Sequence, residues 1–170
     1  MDIYTIGHSV RSINQFIKIL IENGIKCVVD VRSYPYSSTV PQFNIDVLKE
    51  SLAKYKIRYV HIKELGGRRK LKSELDTSIK SKGFASYAQH MRTDEFEKGL
   101  EKLKKIAAKK KTVILCAESL VWKCHRRLIS DRLKFDHWKV YHLGLGKKPV
   151  KHKIWEIARW SKKYGVVYDK

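Results

Sequence analysis

The chain has 170 residues, of which 43% are hydrophobic, so it can bury the core of a globular domain and is not a disordered protein. Lys and Arg number 37 against 17 Asp and Glu, for a net charge of +20. We therefore expect a polyanionic partner, either a nucleic acid or a phosphorylated small molecule, with a solvated lysine surface as the alternative. No stretch approaches the roughly 20 apolar residues of a membrane span, and the first residues lack a signal-peptide pattern. No membrane association and a cytoplasmic location are expected.

Short apolar segments typical of buried strands alternate with segments of helical spacing, which predicts a mostly parallel sheet. The predicted strands are residues 3–6, 27–31, 58–62, 112–116 and 138–143. Helices on both faces of this five-stranded sheet would give a three-layer α/β sandwich, and an incomplete barrel is the alternative. We expect one α/β domain over residues 1–170.

The same pattern predicts about six helices. Ser12 and Gln15 have the spacing of a capping box, so we expect the first helix to begin after Ser12. Residues 63–92 are polar and predicted to be an irregular connection with a functional role or high mobility. Pro149 is predicted to open a final helix. The inward face of that helix would hold Ile154, Ile157 and Ala158.

Polar residues follow four of the predicted strands. The carboxyl ends of parallel strands lie at one edge of a sheet, where open α/β folds bind ligands, so we expect these side chains to converge. Taken singly, His61 is typical of a satisfied core histidine, and Asp30 of a loop cap or a partner of Arg32. Their occurrence at four strand ends favours a site. The residues concerned are His8, Ser9, Asp30, Arg32, His61, Cys116 and Glu118.

The three cysteines, Cys27, Cys116 and Cys124, do not indicate a disulfide framework. Cys124 lies near a predicted helix start beside His125 and Arg126, where cations and the helix N-terminus lower the pKa of a thiol. Cys116 or Cys124 is therefore a candidate nucleophile, and buried packing is an equally supported role for both. Arg does not occur six positions after either cysteine, as a phosphatase thiol loop requires. Cys116, Cys124 and His125 also lack the paired spacing of zinc sites, so no metal ligands are predicted.

Gly66, Gly67 and Arg68 begin a glycine-rich basic loop that is suited to an anion, because glycines let backbone N–H groups approach and arginine binds phosphate in bidentate fashion. A glycine turn with solvated charges is the alternative. Nearby aromatic residues either stack on nucleic-acid bases or belong to the core. They are Tyr34, Tyr36, Phe43, Phe84 and Tyr87.

Five short motifs spread through most of the chain are similar to those of a known family. They are Thr5-Ile6-Gly7-His8-Ser9; Asp30-Val31-Arg32 with Pro35 and Ser37; Tyr59-Val60-His61 with Leu65-Gly66-Gly67; Phe84 with Tyr87-Ala88; and Leu115-Cys116-Ala117-Glu118 with Cys124-His125-Arg126. The chain thus resembles the uncharacterised prokaryotic proteins grouped as domain of unknown function 488. The resemblance implies an α/β domain and assigns no activity. Between the cysteines the family tends to have Asp-Pro where this chain has Leu120-Val121, so we expect this loop to bend differently.

We interpret the chain as an enzyme, a hydrolase or transferase, that acts on a phosphate-bearing nucleotide or nucleic acid. The catalytic candidates are His8, Asp30, Cys116, Glu118 and Cys124. The substrate-binding candidates are Ser9, Arg32, Ser37, His61, Gly66, Gly67, Arg68, Tyr87, His125 and Arg126, with Arg32 and Arg126 expected to bind the anion. The alternatives are a nucleic-acid-binding module without catalysis, and a redox or metal site that requires the sulfurs of Cys116 and Cys124 to lie close together. Neither a cofactor nor an oligomeric state follows from the sequence.

Overall fold

The computed structural model describes residues 1–70 and 77–169. Within them, six strands form the central sheet: β1 (Asp2–Gly7), β2 (Cys27–Asp30), β3 (Arg58–His61), β4 (Thr112–Cys116), β5 (Lys139–His142) and β6 (Val150–Lys151). The spatial order is β3-β2-β4-β1-β5-β6. The first five strands run parallel, and β6 pairs antiparallel with β5. The predicted parallel sheet is confirmed, with one short strand added, and its two free edges exclude a closed barrel.

Helices cover both faces of the sheet, so the three-layer arrangement is also confirmed. The described helices are α1 (Ile13–Glu22), α2 (Ile45–Ala53), α3 (Lys82–His90), α4 (Asp94–Ala107) and α5 (Arg126–Phe135). The apolar residues of α1 and α2 pack with one face, and those of α3, α4 and α5 pack with the other. Alternate residues of β4 point to opposite faces: Leu115 joins the first cluster, and Cys116 joins the second.

The helix starts follow the expected capping chemistry. The Ser12 Oγ accepts the backbone N–H of Gln15, and the Gln15 Oε1 accepts the N–H of Ser12, which is the predicted capping box. Among the described residues, α1 to α5 are five α-helices where about six were predicted. No helix in the part of the chain that the structure describes is long and apolar enough to cross a membrane.

Two stretches of the chain differ from the sequence predictions. The polar connection predicted over residues 63–92 contains α3, whose buried face consists mainly of small or polar side chains that hydrophobic patterning does not detect. Residues 71–76 of that prediction lie outside the described residues. The helix predicted after Pro149 is wrong: the chain forms β6 and then an antiparallel pair, β7 (Arg159–Ser161) and β8 (Gly165–Val167). The apolar residues that suggested this helix are half-buried or exposed, and the segment is anchored instead by buried residues of β8.

Candidate functional site

The C-terminal ends of β1, β2 and β4 meet at one edge of the sheet, as the parallel order requires. Gly7 pairs with Cys116, and Asp30 pairs with Leu115. The backbone N–H of His8 then donates to the Cys116 carbonyl at 2.9 Å, so the chain segments remain side by side beyond the strands. Cys116 points to the face that carries α5, and the start of α5 therefore lies beside it.

A cavity of about 310 Å³ opens at this edge. Seven of the predicted site residues line it: Arg32, Gly67, Arg68, Cys116, Glu118, Cys124 and His125. Six further residues, which were not site candidates, complete the lining: Ser33, Tyr34, Gly83, Phe84, Ala117 and Lys123. We call the buried or half-buried Cys116, Cys124 and His125 the floor of the cavity, and the exposed Tyr34, Arg68, Glu118 and Lys123 its rim.

The floor brings two thiols and an imidazole together. The His125 Nδ1 lies 3.9 Å from the Cys116 Sγ and 3.8 Å from the Cys124 Sγ, and all three atoms lie within 4.8 Å of one another. The His125 Nε2 is 3.1 Å from the Val31 carbonyl oxygen. Since a carbonyl only accepts, Nε2 carries the proton and donates it. The lone pair of Nδ1 therefore faces the two sulfurs.

The two thiols differ in their electrostatic surroundings. The hydrogen bond donated by the Cys116 thiol lowers the pKa of Cys124, and the charge of Arg126 acts in the same direction, against the opposing effect of burial. The same hydrogen bond raises the pKa of Cys116, and burial raises it further. The Arg126 Nε donates to the Cys124 Sγ at 3.3 Å. Of the two thiols, Cys124 is therefore the one that ionises first.

Arg126 supports the floor from behind and does not line the cavity. Its guanidinium is 1% exposed. Besides Cys124, it donates to the Thr5 Oγ1 at 3.1 Å and to the Glu118 carbonyl. All three contacts are internal, so the expected role of Arg126 as an anion ligand does not fit its position. It fixes the loop after β4 and the sulfur of Cys124.

The chain belongs to the family described as Domain of unknown function DUF488. The family's sequence profile matches residues 12–133, which include the whole floor of the cavity and most of α5. The first of the motifs that suggested the resemblance, over residues 5–9, lies before the matched range. A search of curated proteins and a search of solved structures found no significant match.

The second motif of this DUF488 chain forms a buried ion pair. The Asp30 carboxylate is fully buried and accepts from the Arg32 Nε at 3.0 Å and from its Nη2 at 2.6 Å. The Tyr59 hydroxyl donates to the Asp30 Oδ2 at 2.6 Å, and burial, followed by the Asp30 charge, raises the pKa of Tyr59. Arg32 also donates to the Phe43 carbonyl at 2.7 Å. Both charged groups have partners within the protein, which explains why they can be buried. Neither is therefore free to bind a substrate.

His8 is held in a neutral form next to this pair. Its ring stacks on Phe43 with centroids 4.3 Å apart, and its Nδ1 donates to the Ser9 carbonyl at 2.8 Å. Arg32 donates to the Nε2 at 3.3 Å. Burial, assisted by the Arg32 charge, lowers the pKa of His8 to about 4. His61 is another supporting residue, since its Nε2 donates to the Arg32 carbonyl at 2.8 Å.

The glycines of the predicted anion loop are required by close packing. A Cβ on Gly66 would lie 2.5 Å from the Ser33 Oγ, and one on Gly67 would lie 2.4 Å from the His125 Nδ1. Only a residue without a side chain fits at either position. Arg68 projects from this loop to the rim, and neither Arg68 nor Lys123 forms a side-chain hydrogen bond or ion pair with another described residue. These are the cations of the cavity that remain available to a ligand.

Three further candidate site residues lie outside the lining of the cavity. Tyr87 is buried behind the floor, where its ring centroid is 4.9 Å from that of His125 and its hydroxyl donates to the Leu65 carbonyl. Ser9 adopts a positive φ of 50° and donates its N–H to the Ala117 carbonyl at 2.8 Å. Ser37 shapes the loop before α2, where its N–H donates to an Asn44 side chain. None of the three lines the cavity.

A buried chain of hydrogen bonds runs from the site into the C-terminal segment, and the sequence did not indicate it. The Thr5 Oγ1 lies 2.7 Å from the His142 Nδ1, and the His142 Nε2 lies 2.9 Å from the His152 Nδ1. The His152 Nε2 lies 2.8 Å from the Asp131 Oδ1. The polar positions Thr5 and His142 within apolar strands were the available signal. We call these four residues the relay; through Thr5 it joins Arg126 to Asp131.

Proposed function

We propose that this DUF488 protein is an enzyme that hydrolyses a phosphate ester of a nucleotide or nucleic acid in the cavity at the C-terminal edge of the sheet. One observation carries the proposal: a floor of three reactive side chains lies beneath a rim with two cations, Arg68 and Lys123, whose side chains have no partner among the described residues. A compact set of reactive groups at the bottom of a concave pocket is typical of an active site.

The rim supports a phosphate-bearing substrate. Arg68 and Lys123 are the groups that would bind its phosphate oxygens, because Arg32 and Arg126 are held by internal partners. Tyr34 lines the same cavity with 64% of its surface exposed, which suits stacking against a base. The net charge of +20 supports attraction of such substrates over a longer range.

Glu118 supplies a carboxylate at the rim. Its Oε1 accepts the Leu120 N–H at 3.1 Å, which orients the group, and its Oε2 has no hydrogen-bond partner among the described residues. In the proposed hydrolysis the oxygen of water bonds to phosphorus as the bond to the leaving oxygen breaks. The proton lost by the water passes to Glu118 and then to the leaving oxygen.

The test is turnover of a panel of nucleoside mono-, di- and triphosphates and short single-stranded RNA and DNA, followed by ³¹P NMR and chromatography. We expect Glu118→Gln to abolish turnover, because it removes the carboxylate that takes the proton from water. Lys123→Gln should raise KM about tenfold with kcat unchanged, since one charge-assisted hydrogen bond of about 1.5 kcal/mol is lost. Lys98→Gln, which removes the same charge from α4 outside the cavity, is the matched control and should leave both constants unchanged.

Turnover that survives in Glu118→Gln would contradict the proposal, as would a folded wild-type protein that hydrolyses no member of the panel. In the second case, binding that weakens steeply with salt would instead establish the alternative, a nucleic-acid-binding protein without catalysis.

A further inference from the structure

The three atoms at the floor of the cavity have the spacing of ligands around one metal ion. Tetrahedral zinc with Zn–S bonds of about 2.3 Å and a Zn–N bond of about 2.0 Å places sulfur and nitrogen about 3.6 Å apart. The distances from the His125 Nδ1 to Cys116 and Cys124 are 3.9 and 3.8 Å. The two sulfur–nitrogen distances therefore need to shorten by only a few tenths of an ångström, and the two sulfurs, which lie within 4.8 Å of each other, need to come to about 3.8 Å to share an ion.

The surroundings of His125 are those of a metal ligand. Its Nε2–H donates to the Val31 carbonyl, which fixes the ring and leaves the Nδ1 lone pair directed at the sulfurs. A second hydrogen bond of this kind, from the other ring nitrogen to a backbone carbonyl, usually accompanies histidine ligation. Gly67 keeps the space beside Nδ1 open, because a Cβ there would lie 2.4 Å from that atom.

We propose that Cys116, Cys124 and His125 bind a zinc ion at the floor of the cavity, with the fourth coordination position facing the cavity. Two thiolates and an imidazole are ligands that zinc prefers. On binding, the protons carried by the two cysteine sulfurs leave to solvent, and two Zn–S bonds and one Zn–N bond form. No electron is transferred in this step.

The ion also resolves a charge conflict within the proposed function. An ionised thiol beneath the phosphate would repel it, whereas Zn²⁺ with two thiolates is neutral and the nearby Arg126 leaves the floor positive. Three protein ligands with one position for water are the arrangement of catalytic zinc sites, where the bound water ionises near pH 7. The role of the ion in hydrolysis rests on the proposed function, but its binding rests on the geometry alone.

The test is titration of the metal-free, reduced protein with Co²⁺, a spectroscopic substitute for zinc, with zinc content measured in parallel. We expect one equivalent of Co²⁺ to bind, with an intense sulfur-to-cobalt band in the near ultraviolet and visible bands of tetrahedral cobalt, and one equivalent of Zn²⁺ to abolish both. Cys116→Ser and Cys124→Ser should each lose these bands. Cys27→Ala is the matched control: Cys27 is buried on the same face but pairs with Thr112, four residues and about 13 Å along β4 from Cys116.

The wild-type titration needs no variant, so misfolding of a cysteine mutant does not obscure the result. A titration without sulfur-to-cobalt bands would overturn the inference, as would bands that persist in Cys124→Ser. The inference would also be overturned if the reduced protein bound no metal and its mass fell by two hydrogens on oxidation. Cys116 and Cys124 would then be a disulfide-forming pair. Hydrolysis by zinc-free protein would reject the role of the ion in hydrolysis and keep the proposed function. One equivalent of bound zinc without turnover of any substrate would support the zinc site and reject the proposed function.

Discussion

Thr5 is the link that connects the relay to Arg126, and its replacement by Val tests the relay directly. With a neutral His142 ring, Arg126 donates to Thr5, Thr5 donates to the His142 Nδ1, and the His142 Nε2 donates to His152. Burial is the main cause that lowers the pKa of His142 to about 3, so its ring is neutral at pH 7. Thr5→Val keeps the shape of the side chain and leaves one buried donor and one buried acceptor unpaired. Each costs about 1–3 kcal/mol, so we expect the free energy of unfolding to fall by about 2–6 kcal/mol.

The assay is urea unfolding at pH 7, with Thr112→Val as the matched control. Thr112 is equally buried in β4, but its hydroxyl makes one hydrogen bond, to the carbonyl of the exposed Lys110, so about 1 kcal/mol should be lost. Nitrogen NMR should also show the proton of His142 on Nε2 in the wild type. The reasoning is refuted if Thr5→Val costs no more than Thr112→Val, or if that proton resides on Nδ1.

Two further predictions concern residues around the cavity. Because the folded state lowers the pKa of His8 to about 4 from about 6.5, its stabilising contribution is complete above pH 6.5 and is lost as the pH falls towards 4. Between pH 7 and 5, urea unfolding should show that the wild type loses about 2 kcal/mol more than His8→Gln, because the loss that His142 causes is common to both proteins. Gly67→Ala should displace the His125 ring and weaken Co²⁺ binding at least about tenfold. Gly83→Ala is its control, since the added Cβ lies in the same cavity wall with its nearest neighbour 3.9 Å away; equal affinities in the two variants would contradict the packing argument.

The order of elements could be predicted from the sequence because buried parallel strands are uniformly apolar. Once β1, β2 and β4 are parallel neighbours, the residues after them must meet at one edge, and the placement of Cys116 near Arg32 follows from topology alone. The C-terminal strands could not be predicted in this way. Ile154 and Ile157 have helical spacing, but β8 is fixed by long-range packing that local periodicity does not encode.

Which charges are free could not be predicted either. Arg32, Arg68 and Arg126 are equivalent as sequence letters, and all three were expected to bind substrate. The structure buries Arg32 against Asp30 and Arg126 against Cys124, and exposes Arg68. The pairing of a charge is a property of tertiary contacts, so a sequence identifies basic residues but not those that remain available.

The spacing rule for zinc sites failed to indicate the cluster for a similar reason. Paired ligands two to four residues apart describe sites built on one local turn. Here Cys116 ends a strand, and Cys124 and His125 precede the helix that packs on the same face, so seven residues separate the two cysteines in sequence although their sulfurs are close in space. A search for ligands at the ends of adjacent strands and the starts of their following helices would have found all three.

The C-terminal segment also contributes to the site, although it lies outside the family match. Asp131 of α5 is fully buried, and its carboxylate accepts from His152, from the Trp155 N–H and from the Tyr168 hydroxyl at 2.8 Å. Without these donors, the buried carboxylate would have no hydrogen-bond partner and would destabilise α5. The same helix begins at Arg126, which holds the sulfur of Cys124. The start and the middle of α5 are therefore stabilised together, with the relay joining the positive charge behind the cavity floor to the negative charge beneath the C-terminal strands.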